Sequence, residues 1–174
     1  MAKKRVFVDT NAIFPACKIG EWRRLCGHFS VETVATIIDE TQRGDVNRPG
    51  YVQVDKSLLL ETLHAVHAPT MQAVADFQFK LTEQGIEIDD GERDLLAHLI
   101  ANEKPSANIL VLTVADRAAI RAACHFGWGD CIVSLERLLN DAGSPPAALR
   151  GLEAHFREGW LSQVRTHFLL GLVK

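Results

Sequence analysis

The sequence predicts an α/β fold: a three-layer α/β/α sandwich with a central parallel sheet, plus C-terminal helices. Two apolar runs predict buried strands. Residues 5–8 (Arg-Val-Phe-Val) lead directly into Asp9, and residues 109–113 (Ile-Leu-Val-Leu-Thr) form a continuous apolar run, which is typical of a parallel strand covered on both faces. Segments with helical periodicity separate the strand-like runs, and this alternation favours a parallel sheet.

Hydrophobic periodicity and turn residues predict the remaining elements. A second strand is predicted at residues 28–33 and a last short strand at 131–133. The segment 43–50 is the clearest loop, because it combines glycine, proline, asparagine and arginine. Asp55 and Pro69 each begin a helix, and we expect these two helices to form a hairpin over one side of the sheet. Helices are predicted at residues 12–25, 34–42, 56–67, 69–83, 92–101, 117–125, 134–140 and 147–170.

Composition places the chain among ordinary globular proteins. Its 174 residues suit one domain, and 47% hydrophobic with 24% charged residues is a typical balance. We expect a cytoplasmic protein: no apolar run reaches the roughly 18 residues of a membrane span, no signal peptide precedes Asp9, and the four cysteines lack the spacing of a disulfide framework. The net charge of −3 argues against nucleic-acid binding by bulk electrostatics, but it is compatible with an acidic centre inside a basic rim.

Acidic residues recur where predicted strands give way to helices, or on helices that pack on the sheet. They are Asp9, Glu40, Glu92, Asp94 and Asp116. Acids at the start of a helix have a simpler explanation, because they cap the helix or complement its dipole. That explanation fits Glu40 less well, since Glu40 lies near the end of its helix. Carboxylates gathered at one edge of a sheet repel each other unless a cation compensates, so the pattern predicts a metal-assisted phosphoryl-transfer centre.

Four motifs, in this order, resemble those of the PIN-domain nucleases. They are Val-Phe-Val-Asp-Thr-Asn at residues 6–11, a glutamate in the second helix, Gly-Glu-Arg-Asp-Leu-Leu-Ala-His at 91–98, and Leu-Thr-x-x-Asp at 112–116. The resemblance covers about residues 4–140. It implies a PIN-like nuclease domain at residues 1–140 and a helical extension at 141–174 that packs on the same domain. One departure is the spacing of the last motif, in which Asp116 lies three residues after Thr113 where two is usual.

The resemblance implies a metal-dependent endoribonuclease that hydrolyses phosphodiester bonds of single-stranded RNA with Mg²⁺ or Mn²⁺. Glu92 and Asp94 compete for the third acidic position, because residues two apart on a helix face different ways; the motif slightly favours Glu92. The expected catalytic residues are Asp9, Glu40, Glu92, Asp94 and Asp116, with the metal at Asp9, Glu92 and Asp116 and with Asn11 and Thr113 in support. Candidates for phosphate binding are Arg43, Arg48, Arg117 and Arg121, each of which is also explained as a solvated surface charge.

The expected partners are RNA, a second copy of the chain in a homodimer and, for a toxin of a toxin–antitoxin pair, a small antitoxin protein. An alternative is a catalytically silent PIN-like module that binds RNA or protein, although an acid at every expected position favours activity. A phosphohydrolase similar to the haloacid dehalogenases is disfavoured, because it needs an aspartate where this chain has Asn11.

Two further features receive structural interpretations. His64 and His67 lie three residues apart on one predicted helix face, but no third ligand is evident, so a metal site is not favoured. The aromatic residues of the last helices are Phe156, Trp160 and Phe168. Their near-helical spacing favours a place in the core or at a homodimer face over a base-stacking platform.

Overall fold

The computed structural model describes residues 3–43, 52–112 and 116–172. Within these residues a parallel sheet has the spatial order β3-β2-β1-β4. Its strands are β1 (Arg5–Val8), β2 (Ser30–Val34), β3 (Ala65–His67) and β4 (Ile109–Leu112). In the register of the sheet, Val6 pairs with Val31 on one side and with Leu110 on the other. The predicted α/β fold with a parallel sheet is confirmed.

Helices make up most of the described residues. They are α1 (Thr10–Lys18), α2 (Trp22–His28), α3 (Ala35–Thr41), α4 (Lys56–Thr62), α5 (Met71–Glu83), α6 (Asp90–Asn102), α7 (Arg117–His125), α8 (Leu135–Asp141), α9 (Pro146–Leu149) and α10 (Glu158–Leu169). Short 3-10 turns lie at Gly129–Cys131 and Ala154–Phe156. Among the described helices, none has the length and apolar character needed to cross a bilayer.

Both faces of the sheet are covered. Val6, Phe7 and Val8 have no exposed surface, although successive side chains of a strand point to opposite faces. The chain crosses the sheet in one direction from β1 to β3 and returns in the other to reach β4. Right-handed crossovers therefore place α1–α4 on one face and α5 and α6 on the other. This arrangement is consistent with the predicted three-layer sandwich.

The predicted helix over residues 12–25 is wrong as a single element. Helix α1 ends at Lys18 and α2 begins at Trp22. Between them Gly20 adopts a φ of +77°, a left-handed conformation that glycine accepts without steric cost. The chain therefore turns at Gly20 and runs on as a second short helix.

The predicted helix over residues 56–67 is also wrong in its second half. Asp55 caps α4 as expected, since its carboxylate accepts a hydrogen bond from the Ser57 amide at 2.8 Å. The helix ends at Thr62, and the His64 amide then donates to the Val31 carbonyl at 2.7 Å, which starts the pairing of β3 with β2. The expected helical hairpin is thus interrupted by a strand, and His64 and His67 do not share a helix face.

The segment after α7 forms no strand of the expected length at residues 131–133. Ile132 makes a single bridge to Val111, and the Val133 amide donates to the Val111 carbonyl at 3.0 Å. The predicted helix over 147–170 is divided into α9, a 3-10 turn and α10, and α10 packs against α7 and α8. Phe156 is buried in the core, as expected.

Candidate active site

The carboxyl ends of β1 and β4 form the crevice at which the strand order reverses. From β1 the chain moves to β2 on one side, whereas β4 enters on the other side of β1. Ligands of open α/β folds bind at such a switch point. Asp9 follows β1 directly, and Asp116 follows β4 in the chain as the N-cap residue of α7. The sheet topology therefore brings these two acids to the same edge.

Asp9 is completely buried and uses both carboxylate oxygens. Oδ1 accepts a hydrogen bond from the Ala12 amide at 3.0 Å and so caps α1. Helix capping was the simpler explanation given for acids at the start of a helix. Oδ2 accepts one from Nδ2 of Asn11 at 3.4 Å. Burial raises the pKa of Asp9 to about 7, because an apolar interior disfavours the charged form more than these hydrogen bonds favour it.

Asn11 connects Asp9 to Glu92. The same Nδ2 atom donates to Glu92 Oε1 at 3.3 Å, across 81 residues of sequence. Only 4% of Glu92 is exposed, and its Oε2 is buried without a hydrogen-bond partner among the described residues. Burial, followed by the negative charges of Asp9 and Asp116, raises the pKa of Glu92 to about 9. The carboxyl groups of Asp9 and Glu92 are therefore neighbours that resist simultaneous ionisation.

The chemistry of this pair fits a hard divalent cation. Carboxylate oxygens are the ligands that Mg²⁺ prefers, and a cation would offset the repulsion by Asp9 and Asp116 that adds to the effect of burial on the pKa of Glu92. In the described parts of the chain, no three His, Cys, Asp or Glu side chains form a complete metal site as they stand. Asp9 and Glu92 supply two donors, and the unpartnered Oε2 of Glu92 is the atom left over for a ligand.

Glu40 holds the beginning of α6. Its Oε1 accepts a hydrogen bond from the Gly91 amide at 2.9 Å, which supplies the cap that the side chain of Asp89 does not make. A Cβ atom on Gly91 would lie 2.6 Å from Glu40 Oε2, so only glycine allows this approach. Burial, with the nearby charges of Asp89 and Asp90, raises the pKa of Glu40. Glu40 is thus bonded to the residue directly before Glu92, and its charge adds to the raised pKa of Asp9.

Asp94 is engaged elsewhere. Its Oδ2 accepts a hydrogen bond from the Thr36 hydroxyl, and its Oδ1 forms an ion pair with Arg93 at 2.9 Å. Glu92, by contrast, faces Asn11 and Asp9. Of the two competing acids, the structure brings Glu92 into the buried cluster and joins Asp94 to α3.

The remaining predicted residues lie around this cluster or outside the described chain. Asp116 is half-buried, and its Oδ1 accepts a hydrogen bond from the Ala118 amide at 2.6 Å. Arg117 is exposed, Arg121 is half-buried one turn further along α7, and Arg43 is exposed just after α3. Thr113, Arg48 and most of the predicted loop at 43–50 lie outside the described residues.

A second polar cluster was missed by sequence reasoning. Glu32 of β2 is buried and accepts hydrogen bonds from Arg5 Nε at 2.6 Å and from His67 Nε2 at 2.7 Å. Burial alone would raise the pKa of Glu32, but these hydrogen bonds outweigh it and lower the pKa overall. His98 stacks on His67 with ring centroids 4.1 Å apart, and it is buried. The available signal was a glutamate in the middle of a predicted strand.

Comparison with known proteins adds no family assignment. No protein-family model matches the chain. A search of curated proteins finds no significant match either.

Proposed function

We propose that this protein is a PIN-type endoribonuclease that hydrolyses phosphodiester bonds of single-stranded RNA with Mg²⁺ or Mn²⁺. The observation that carries the proposal is the buried pair of Asp9 and Glu92, which share one amide donor and leave a carboxylate oxygen without a partner. Two buried carboxyl groups in contact are costly without a cation. The pair also lies at the switch point of the sheet, where ligands bind in this architecture. The motifs that resemble the PIN-domain nucleases supply the reaction class.

Each residue of the cluster has a separate task in this mechanism. Asp9 and Glu92 would hold the cation, with Asp116 as the third acid. A bound divalent cation supplies an ionised water at neutral pH and stabilises the leaving oxygen. Asn11 positions Asp9 and Glu92 relative to each other, because its amide donates to both. Glu40 acts through the backbone, since its bond to the Gly91 amide fixes the helix turn that carries Glu92.

Basic side chains beside the acidic cluster would bind the phosphates of the RNA. Arg117 and Arg121 lie one turn apart on α7, the helix that Asp116 caps. No carboxylate of the described residues lies within ion-pair distance of either arginine. Phosphate contacts of this kind position a nucleic acid without reading its sequence. A net charge of −3 is compatible with this arrangement, because the acids of the centre offset a local basic rim.

The test is cleavage of a mixed-sequence single-stranded RNA by purified protein with Mg²⁺, with Mn²⁺ and with EDTA. The wild-type protein is expected to cut only with a divalent cation. Asp9→Asn and Glu92→Gln keep the side-chain size and remove the charge. Both should reduce the rate by more than the roughly 10- to 100-fold loss that is typical for partners of metal ligands. Asn11→Ala should fall in that roughly 10- to 100-fold range.

Asp94→Asn and Asp39→Asn provide matched controls. Asp39 is exposed on α3 and should tolerate the change, whereas Asp94→Asn tests whether the acid bonded to Thr36 has any part in the chemistry. Cleavage by Asp9→Asn at the wild-type rate would contradict the proposal. A folded wild-type protein that binds RNA but cuts none with either metal would instead identify the catalytically silent module.

A toxin role, a small antitoxin and a homodimer belong to the proposal through the resemblance alone. If the protein is a toxin, expression of the wild type should arrest growth of the host cell and expression of Asp9→Asn should not. Light scattering of the purified protein tests the homodimer directly. Normal growth under wild-type expression, with active protein in the cell, would remove the toxin role and leave the nuclease in place.

A further inference from the structure

Trp160 lies beside the first residue of α7. The guanidinium carbon of Arg117 is 5.9 Å from the centroid of the Trp160 ring, within the range of a cation–π contact. His155 approaches the same indole edge-on, with ring centroids 6.4 Å apart. Arg117 is exposed, and Trp160 and His155 are half-buried. The three side chains form a partly open cationic and aromatic surface, which we name the Trp160 platform.

The Trp160 platform is connected to the acidic cluster through the start of α7. Arg117 follows Asp116 directly, and Asp116 contributes to the negative charge that Glu92 experiences. Consecutive Cα atoms are about 3.8 Å apart. The residue whose guanidinium lies over the indole, Arg117, therefore has its backbone next to that of the third acid, Asp116. An RNA strand whose base contacts Trp160 would therefore pass the start of α7, where Asp116 lies.

Internal hydrogen bonds fix the helix turn that carries Trp160. Ser134 donates from its hydroxyl to Glu158 Oε2 at 2.6 Å, and the Glu158 amide donates to Glu136 Oε2 at 3.0 Å. Glu136 also lies 3.6 Å from the guanidinium of Arg157. The carboxylates of Glu158 and Glu136 are thus occupied by partners inside the protein. The start of α10 is rigid, which lowers the entropy cost of presenting an aromatic ring.

We propose that Trp160, with Arg117, is a stacking subsite for a base of single-stranded RNA next to the cleavage centre. This inference rests on the proposed ribonuclease function and adds a substrate-binding residue from the C-terminal helices. Aromatic rings stack on any unpaired base, and a neighbouring arginine adds a cation–π or phosphate contact. The competing explanation is that Arg117 and Trp160 only pack α10 against α7, in which case RNA binding would not depend on the indole.

Tryptophan fluorescence gives a direct measurement. The other two tryptophans, Trp22 and Trp128, are each only 2% exposed, so Trp160 is the indole that a ligand in solution can reach. The probe is a mixed-sequence single-stranded oligoribonucleotide, added in EDTA so that cleavage does not interfere. We expect quenching by the single strand and little quenching by a duplex of the same sequence, in which the bases are already stacked.

Variants separate stacking from packing. Trp160→Leu is expected to weaken binding of the single strand by about 5- to 150-fold, which corresponds to the roughly 1–3 kcal/mol of one stacked base. Trp160→Phe keeps an aromatic face and should recover most of this loss. Phe79→Leu is the matched control, because Phe79 is an exposed aromatic residue on α5. Binding is measured by anisotropy of the labelled RNA, and thermal unfolding confirms that each variant is folded.

Three results would overturn the inference: Trp160→Leu binds as wild type, Phe79→Leu weakens binding equally, or Trp160→Phe is as weak as Trp160→Leu. In Mn²⁺, Trp160→Leu should raise KM with a smaller change in kcat, since the indole holds the RNA in both ground and transition states. Failure of the ribonuclease proposal looks different, because the wild-type protein would then not cut RNA whether or not the indole is quenched.

Discussion

Replacing Glu92 with glutamine should stabilise the protein in the absence of divalent cations. The folded structure raises the pKa of Glu92 to about 9, from an ordinary value of 4.5. Between these two values the unfolded chain has lost the proton while the folded chain keeps it. Stability therefore falls as the pH rises from 4.5 to about 9. Glutamine does not titrate, so Glu92→Gln escapes this loss, and its Oε1 can still accept the hydrogen bond from Asn11.

The size of the effect follows from the pKa. Each unit is worth about 1.36 kcal/mol, so over the interval from pH 4.5 to pH 7 the burial of Glu92 costs about 3 kcal/mol. For a chain of this length, about 2–4 °C of melting temperature corresponds to 1 kcal/mol. The variant should thus melt about 6–12 °C above the wild type at pH 7 in EDTA. The two proteins should have nearly equal melting temperatures at pH 4, where Glu92 is mostly protonated in both the folded and the unfolded chain.

Divalent cations should remove most of this difference. A ligand at about 100 times its dissociation constant stabilises a folded protein by about 2.7 kcal/mol. Saturating Mn²⁺ should therefore raise the melting temperature of the wild type and have a much smaller effect on Glu92→Gln, which has lost a charged ligand. The matched control is Glu87→Gln, an exposed glutamate five residues earlier, for which neither pH nor Mn²⁺ should distinguish variant from wild type.

Differential scanning calorimetry from pH 4 to pH 8, with EDTA and with Mn²⁺, provides all of these comparisons. Equal melting temperatures of Glu92→Gln and wild type at pH 7 in EDTA would refute the argument that Glu92 is a strained, buried acid. An equal Mn²⁺ response of the two proteins would refute its assignment as a metal ligand. A stabilisation of the same size in Glu87→Gln would show that only net charge matters.

Three other outcomes are expected. Gly91→Ala should destabilise the fold by about 1–3 kcal/mol in urea unfolding, because the added Cβ meets Glu40 at 2.6 Å, whereas Gly27→Ala, with no atom within 4 Å, should not destabilise it. Glu32→Gln should cost about 2–3 kcal/mol of stability at pH 7 by the same assay, since it removes the charged acceptor of two basic side chains. This loss should fade below pH 4.5, because a group with a lowered pKa loses its stabilisation as the pH falls. Burial, with the charge of a neighbouring histidine, lowers the pKa of His98. As the pH falls below 6.5, the unfolded chain therefore takes up a proton before the folded chain does, and the stability should decline. His98→Gln should flatten this decline, and an unchanged slope would contradict the lowered pKa of His98.

The sequence predicted the elements whose signals are local. Strand β1 was placed correctly from Arg5 to Val8, because a short apolar run buried on both faces needs no partner to be recognised. Helix α7 was placed correctly as well, because Asp116 provides a strong start signal. Strand β3 was missed, since three residues are too few for a periodic pattern and their conformation depends on pairing with β2. The conformation of residues 65–67 is thus set by pairing with β2, which the local sequence does not reveal.

The same distinction applies to the candidate site. The sequence predicted acids at the carboxyl edge of the sheet, namely Asp9, Glu92 and Asp116. Their contacts, however, depend on how α6 is rotated about its axis. The close approach of Gly91 to Glu40 sets this rotation, and with it the choice between Glu92 and Asp94. Such an approach links residues 51 apart in sequence, so no local pattern reveals it. The Trp160 platform was also unpredicted, because it depends on the packing of α10 on α7.

The place of β1 in the sheet has a consequence for the order in which the protein is made. This strand precedes β2, β3 and β4 in the chain, yet it lies between β2 and β4 and pairs along its whole length with residues 109–112. A growing chain on the ribosome leaves one edge of β1 open until residues 109–112 have emerged. The amide of Asn11 likewise waits for a residue 81 positions later. The acidic pair of Asp9 and Glu92 can therefore form only after residue 92 has left the ribosome, and both edges of β1 are paired only after β4 has followed.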